Sequence, residues 1–135
     1  IFVKQKEREL ENNVYFWQKL DTLYLSSQFY LDRPLGTAHR EFTNLVYPVD
    51  YGYLKDTFSD DMAPIYCYMG TAKEKDIKAI IVSADILKKD CVAKLLIGCT
   101  EDETKLILKF INSTEFQKAI LIRRGNETPV WASSE

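Results

Sequence analysis

The chain has 135 residues, of which 46% are hydrophobic and 28% charged, and its formal net charge is −2 at pH 7. That length supports a single domain with its own core, and the composition excludes a disordered chain. The near-neutral charge gives no electrostatic case for nucleic acid or an anionic membrane surface as partner, and no apolar run reaches the length of a membrane-spanning helix.

Residues 4–25 are expected to be helical. Leu10, Val14, Trp17, Leu20 and Tyr24 recur at helical spacing, with most charges off that stripe and no Gly or Pro inside it. The stripe is expected to pack on the body of the domain, and the aromatic pair Phe16–Trp17 makes a contact between copies in a homo-oligomer a second use for it. The charged opening KQKERELE does not read as a signal peptide. Gln28–Asp32 alternates and favours a strand. The segment after it, DRPLGTAHREFTN, is punctuated by Pro34 and Gly36 and reads as a loop carrying Arg33, His39 and Arg40. His39 has no second ligand at metal-site spacing.

The central stretch runs from Leu45 to Gly70. Read as a strand, it puts Tyr47, Val49, Tyr51 and Tyr53 on one face. Those phenols, with Asp50 and Asp61 near by, either line a polar cleft or form a greasy strand ending in the acidic turn Ser59-Asp60-Asp61. The second outcome is the commoner one for aromatic strand faces. Downstream, Thr71–Asp76 is a polar connection and Ile77–Val82 a buried strand. Ser83–Asp90 suggests one helical turn, and Val92–Cys99 a strand with Lys94 on its polar side. Thr100 and Glu103 form a capping box that opens a helix with Leu106, Ile107, Phe110 and Ile111 on one face, stopping near Asn112. Ala119–Ile122 is a last strand. Cys67, Cys91 and Cys99 lie in apolar runs without CxxC spacing, so they read as buried reduced thiols of a cytoplasmic protein, with no metal role. The expected organisation is one domain over 1–135, with a helical extension over 1–26 and a loose tail over 125–135.

One resemblance is more specific than these patterns. Asp32-Arg33-Pro34-Leu35-Gly36, then Tyr47-Pro48-Val49-Asp50-Tyr51-Gly52-Tyr53, then Asp61 together resemble the soluble (family I) inorganic pyrophosphatases, most of all their short bacterial variants. The resemblance covers residues 32–70, is faint over 77–122 and is absent from the N-terminal helix. It implies an α+β, mainly β fold: a small five-stranded OB-like barrel with the N-terminal and late helices outside. It also implies Mg²⁺-dependent hydrolysis of pyrophosphate, with Mn²⁺ as the alternative ion. Clustered carboxylates hold the metals, the metals acidify a water, and Lys and Arg take phosphate oxygens. Arg33, Lys94 and, more weakly, Lys118 match phosphate-binding positions. Tyr51 matches a tyrosine of the catalytic cleft, and Asp61 the first carboxylate of the D-x-D-P-x-D metal motif.

The departures fall on that motif. Here it reads Asp61-Met62-Ala63-Pro64-Ile65-Tyr66, so the second and third carboxylate positions hold Ala63 and Tyr66. Val92 stands two residues before Lys94, where the family has Asp. Asp60, Asp85 and Asp90 are the spare carboxylates near by, each out of register. The expected function is therefore a pyrophosphatase relative with weak or lost turnover. The alternative is a non-catalytic relative that binds a phosphorylated small molecule, a nucleotide or a protein partner.

Overall fold

The computed structural model describes residues 10–60 and 62–125. In chain order the elements are α1 (Val14–Leu25), β1 (Phe29–Arg33), β2 (Asp50–Leu54), β3 (Ile65–Met69), β4 (Ile77–Asp85), β5 (Asp90–Ile97), α2 (Glu101–Ile111) and β6 (Gln117–Arg123). The strands form one sheet in the order β1-β2-β3-β5-β4-β6, with β3 and β5 parallel and every other neighbouring pair antiparallel. The class is the expected one, mainly β with an early and a late helix. The sheet has six strands rather than five, and its order runs open from β1 to β6.

The period-two alternation of the strands divides the core in two. One face carries Leu54, Cys67, Ile77, Ile80, Leu95 and Ile97, and Trp17 and Leu20 of α1 cover it. The other carries Tyr51, Tyr68, Ala79, Ile81 and Leu96, covered by Ile107 and Ile111 of α2, with Val49 ahead of β2 in the same cluster. A single-residue slip in register would move each set to the wrong helix, so these two apolar faces fix the pairing.

Both helices start where their caps dictate. The Asn13 carboxamide accepts from the Phe16 N–H at 3.0 Å, so α1 begins at Val14; Leu10 and Glu11 are helical as expected, and the expected helix is interrupted at Asn12 and Asn13. Leu10 is exposed, and the first part of the expected helix lies outside the described residues. The capping box at α2 forms as read: Thr100 Oγ1 accepts from the Glu103 N–H, and the Glu103 carboxylate accepts from the Thr100 N–H. Glu103 also accepts from the Thr71 N–H and hydroxyl, tying the start of α2 to the end of β3.

Two local expectations fail for identifiable reasons. Ser83–Asp90 is not a helical turn but the end of β4, a hairpin tip and the start of β5. Asp85 Oδ1 accepts from the Leu87 and Lys88 N–H groups, both at 2.9 Å, and Lys89 takes the left-handed conformation at φ 57°. That local side-chain bonding favours a turn over a helix. Cys91, next to this tip, is exposed, whereas Cys67 is buried and its thiol is pushed up to about 12 by desolvation.

Gly52 shows how closely β1 and β2 approach. A Cβ there would collide with the Tyr30 carbonyl oxygen and stand 2.8 Å from two ring carbons of Phe29. Backbone and a half-buried ring packed on the core cannot both move aside. Gly52→Ala is therefore expected to destabilise the fold by ~2 kcal/mol or more, within the range for overpacking. Urea denaturation of the two proteins measures it, and an unchanged midpoint would refute the close approach.

Candidate functional site

The two motifs that carried the resemblance are clasped together. Pro34 to Thr37 forms a turn in which the Thr37 N–H donates to the Pro34 carbonyl at 3.0 Å, and its third residue, Gly36, has φ 87°. A type II turn needs that left-handed position, which explains the glycine in DRPLG. The Leu35 N–H then donates to Asp50 Oδ1 at 2.9 Å, and the Gly36 N–H to the Tyr47 carbonyl at 2.9 Å. Asp50 thus holds the loop rather than lining a cleft with the phenols.

Beyond the clasp, residues 37–46 fold back on themselves through an isolated bridge between Ala38 and Val46. This flap, the β4–β5 hairpin tip and the α2–β6 connection surround a cavity of about 340 Å³. Tyr51, Tyr68 and Lys94 come to it from the sheet, and His39, Tyr47, Lys88, Asp85, Phe110 and Gln117 from around it. A larger hollow of about 660 Å³ lies elsewhere, but its arginines are already engaged: Arg124 pairs with Asp21 and Arg123 with Glu101, each through two bonds of 2.8–2.9 Å.

Lys94 is the unusual group. Its ammonium sits 5.0 Å from the centroid of the Tyr51 ring, and among the described residues it has no hydrogen-bond or salt-bridge partner. The residue is partly exposed along its length, but the charge itself is desolvated. Burial, reinforced by the Lys88 charge and opposed by Asp90, pulls its pKa down to about 8. Tyr51 is buried against Tyr47, Tyr66 and Tyr68, and desolvation pushes its phenol far above the ordinary range. It is a neutral wall of the cavity and a platform for the ammonium, not a phenolate. His39 Nδ1 accepts from the Glu41 and Phe42 N–H groups at 3.1 and 3.3 Å, which places the proton of the neutral ring on Nε2. Desolvation lowers its pKa, helped by Lys88, Arg33 and Lys94 and opposed by Glu41.

Of the residues singled out from the sequence, Tyr51, Lys94 and Asp85 meet at this cavity, with Asp85 occupied by the hairpin turn. Asp90 stands across that hairpin from Asp85 and is exposed. Arg33 ends β1 beside Asp32, 4.0 Å away, outside the lining, although its charge reaches Tyr47 and His39. Lys118 donates to the Asn112 carbonyl at 3.0 Å and closes the end of α2 instead. Asp60 is exposed in its turn, and Asp61 lies outside the described residues. Sequence reading passed over Lys88 and Gln117 and placed His39 only in a loop. The cavity is lined by the sheet, by α2 and by three connections far apart in the chain, and the signal available was the position of His39 just after DRPLG.

The described donors do not fit the multi-metal centre that the resemblance implies. Among the described residues there is no group of three or more His, Cys, Asp or Glu side chains able to hold a metal ion. Ala63 offers no donor. Tyr66 lies flat on Tyr51, ring centroids 5.4 Å apart and planes 9° apart, and meets Tyr53 edge-on at 5.9 Å. Where a carboxylate is expected, an aromatic cluster has formed.

No family model matches the chain, and neither does any curated protein. Among solved structures, the fold is similar to that of the inorganic pyrophosphatase of Helicobacter pylori, with a TM-score of 0.51 at 11% identity, covering 72% of this chain and 82% of that one. The likeness is one of fold. An inorganic pyrophosphatase from Coxiella burnetii (TM-score 0.48, 15% identity, 72% and 82% covered) and an inorganic phosphatase from Anaplasma phagocytophilum (0.42, 10%, 72% and 81%) are also similar. No helix among the described residues is long and apolar enough to cross a membrane.

The desolvated ammonium has a consequence for stability. Because the folded pKa lies below the unfolded value of about 10.5, Lys94 opposes folding fully below about pH 8. That opposition fades as pH rises from 8 to 10.5, where the unfolded chain holds more protons. Lys94→Met is therefore expected to stabilise the protein at pH 7, by on the order of 1–2 kcal/mol. It should also flatten the stability profile between pH 8 and 10. Denaturation curves across that range test both; a variant less stable at pH 7 would show that the ammonium is well compensated.

Proposed function

We propose that this chain is a pyrophosphatase-fold protein that binds a phosphorylated small molecule in the 340 Å³ cavity and hydrolyses pyrophosphate slowly or not at all. The reading rests on one observation: a desolvated Lys94 ammonium, with no hydrogen-bond or salt-bridge partner among the described residues, at a cavity large enough for a small ligand. A cation held in that way is stabilised by an arriving anion more than by anything the described protein offers. Phosphate oxygens are the natural occupants of a lysine so placed. Arg33, just outside the lining, would add to the attraction at longer range.

Hydrolysis is the weaker half of the family's chemistry here. Making a hydroxide at neutral pH and spreading the charge of the leaving phosphate needs several acidic ligands around metal ions. Ala63 and Tyr66 occupy two of the three motif positions, and Tyr66 is committed to its ring stack. Of Mg²⁺ or Mn²⁺ ligands, Asp61 is the one that the motif retains.

Phosphate release from pyrophosphate, with millimolar Mg²⁺ or Mn²⁺, is expected to be no faster for the native protein than for Asp61→Ala. Metal-dependent release that disappears in the variant would establish an enzyme and refute the loss of turnover. Binding has its own readout. A phosphorylated ligand at a hundredfold excess over Kd should stabilise the native fold by about 2.7 kcal/mol, and Lys94→Met should remove most of that gain. Since the anion favours charged Lys94, the gain should shrink as pH rises through about 8. A gain independent of pH and of Lys94 would overturn the assignment of the site.

A further inference from the structure

We infer that the ligand of this cavity is a nucleoside monophosphate, its phosphate on Lys94 and its base against the aromatic wall built by Tyr47, Phe110 and His39. The inference rests on the phosphate-binding reading above and narrows it. Its first support is the character of the walls. Tyr47 and Phe110 have ring centroids 4.8 Å apart, His39 lies 6.2 Å from Phe110 and 6.3 Å from Tyr47, and all three line the cavity. His39, Tyr47 and Phe110 are each only half-buried, and a bare diphosphate, polar on every side, would leave the exposed parts of these rings turned to water. A purine or pyrimidine ring covers them, and base–aromatic stacking is one of the stronger sequence-tolerant contacts a protein makes with a nucleotide.

The charges point the same way. Lys88 and Lys94 line the cavity together with Glu41 and Asp85, so the formal charges of these four side chains sum to zero. A diphosphate, with three or more negative charges, would meet two carboxylates and too few cations. A monophosphate, with about two negative charges at most and a neutral base and sugar filling the rest, departs less from that balance. The volume agrees, because about 340 Å³ falls at the lower end of pockets that enclose a whole organic ligand.

Polar groups suited to a base edge are also present, and few. His39 Nε2–H is a donor with no partner among the described residues, since the backbone bonds fall on Nδ1. The Gln117 amide donates to Ser83 Oγ at 3.4 Å from its nitrogen, leaving its carbonyl oxygen to accept. A donor and an acceptor beside the aromatic part of the lining suit a small-molecule site in which placed polar groups set orientation.

Calorimetric titration of the full chain with AMP, UMP, adenosine and pyrophosphate tests this, using the native protein, Lys94→Met, Phe110→Leu and Gln117→Ala. The expected result is binding of AMP or UMP at least about tenfold tighter than adenosine or pyrophosphate. Lys94→Met should weaken the nucleotide and pyrophosphate alike, and Phe110→Leu the nucleotide alone. Gln117→Ala provides the same contrast from an independent residue if Phe110→Leu does not fold. Pyrophosphate binding as tightly as either nucleotide, with no effect of Phe110 or Gln117, would overturn the inference while leaving the phosphate-binding reading intact. No binding of any of the four would overturn both.

Discussion

The placement of the Tyr51 ring is the constraint on which the candidate site depends. It is buried among three other tyrosines, with Tyr66 flat against it, Tyr68 tilted at 4.9 Å and Tyr47 at 5.2 Å. Packing of that kind leaves little freedom to a side chain, and here it fixes the surface over which Lys94 must lie. Cation–π attraction to a desolvated ammonium is worth ~2 kcal/mol, less than the cost of removing a lysine charge from water. The contact therefore positions the ammonium without satisfying it. The depressed pKa of about 8 is the signature of that shortfall.

Around this point the fold acts as a frame. Two helices on opposite faces of one sheet divide the core, and Lys94 lies on the strand face that α2 covers. The hairpin tip and the flap close the cavity from the sides. The Pro34–Thr37 turn matters because it anchors the start of the flap to β2 through Asp50 and Tyr47. The motif also has a backbone role in this chain. Its arginine ends a strand, and its glycine serves a turn.

Much of the fold was legible because it rests on local chemistry. The capping box at Thr100 and Glu103 and the period-two faces of the strands depend on neighbouring residues, and both appear where the sequence put them. The hairpin tip was misread because Asp85 satisfies two backbone N–H groups with its own carboxylate, an option that apolar periodicity does not register. The open six-stranded order depends on contacts between distant segments, such as β3 beside β5, which no local pattern encodes. In the site, Tyr51 and Lys94 were found through motif positions, while Lys88 and Gln117 carry no motif and reach the cavity only through tertiary folding. Lys118, matched only weakly, lies at the end of α2 and donates to the Asn112 carbonyl.

Under the proposed reading, the aromatic and aliphatic groups at Tyr66 and Ala63 decide what Lys94 can do. Amid acidic side chains its charge would be compensated within the protein, and a phosphate would compete with those carboxylates and need metal ions to offset them. Among the described residues no carboxylate bonds to Lys94, and Tyr66 is stacked on Tyr51 instead, so the ammonium carries an unmet electrostatic demand into the folded state. A ligand anion that meets the demand stabilises the native form by more than its own contacts, because it also relieves the desolvation cost already present. On that reading, a lysine without nearby carboxylates works against hydrolysis and in favour of retention. A site that holds a phosphate through one uncompensated cation, against aromatic walls, is physically better suited to binding than to turnover.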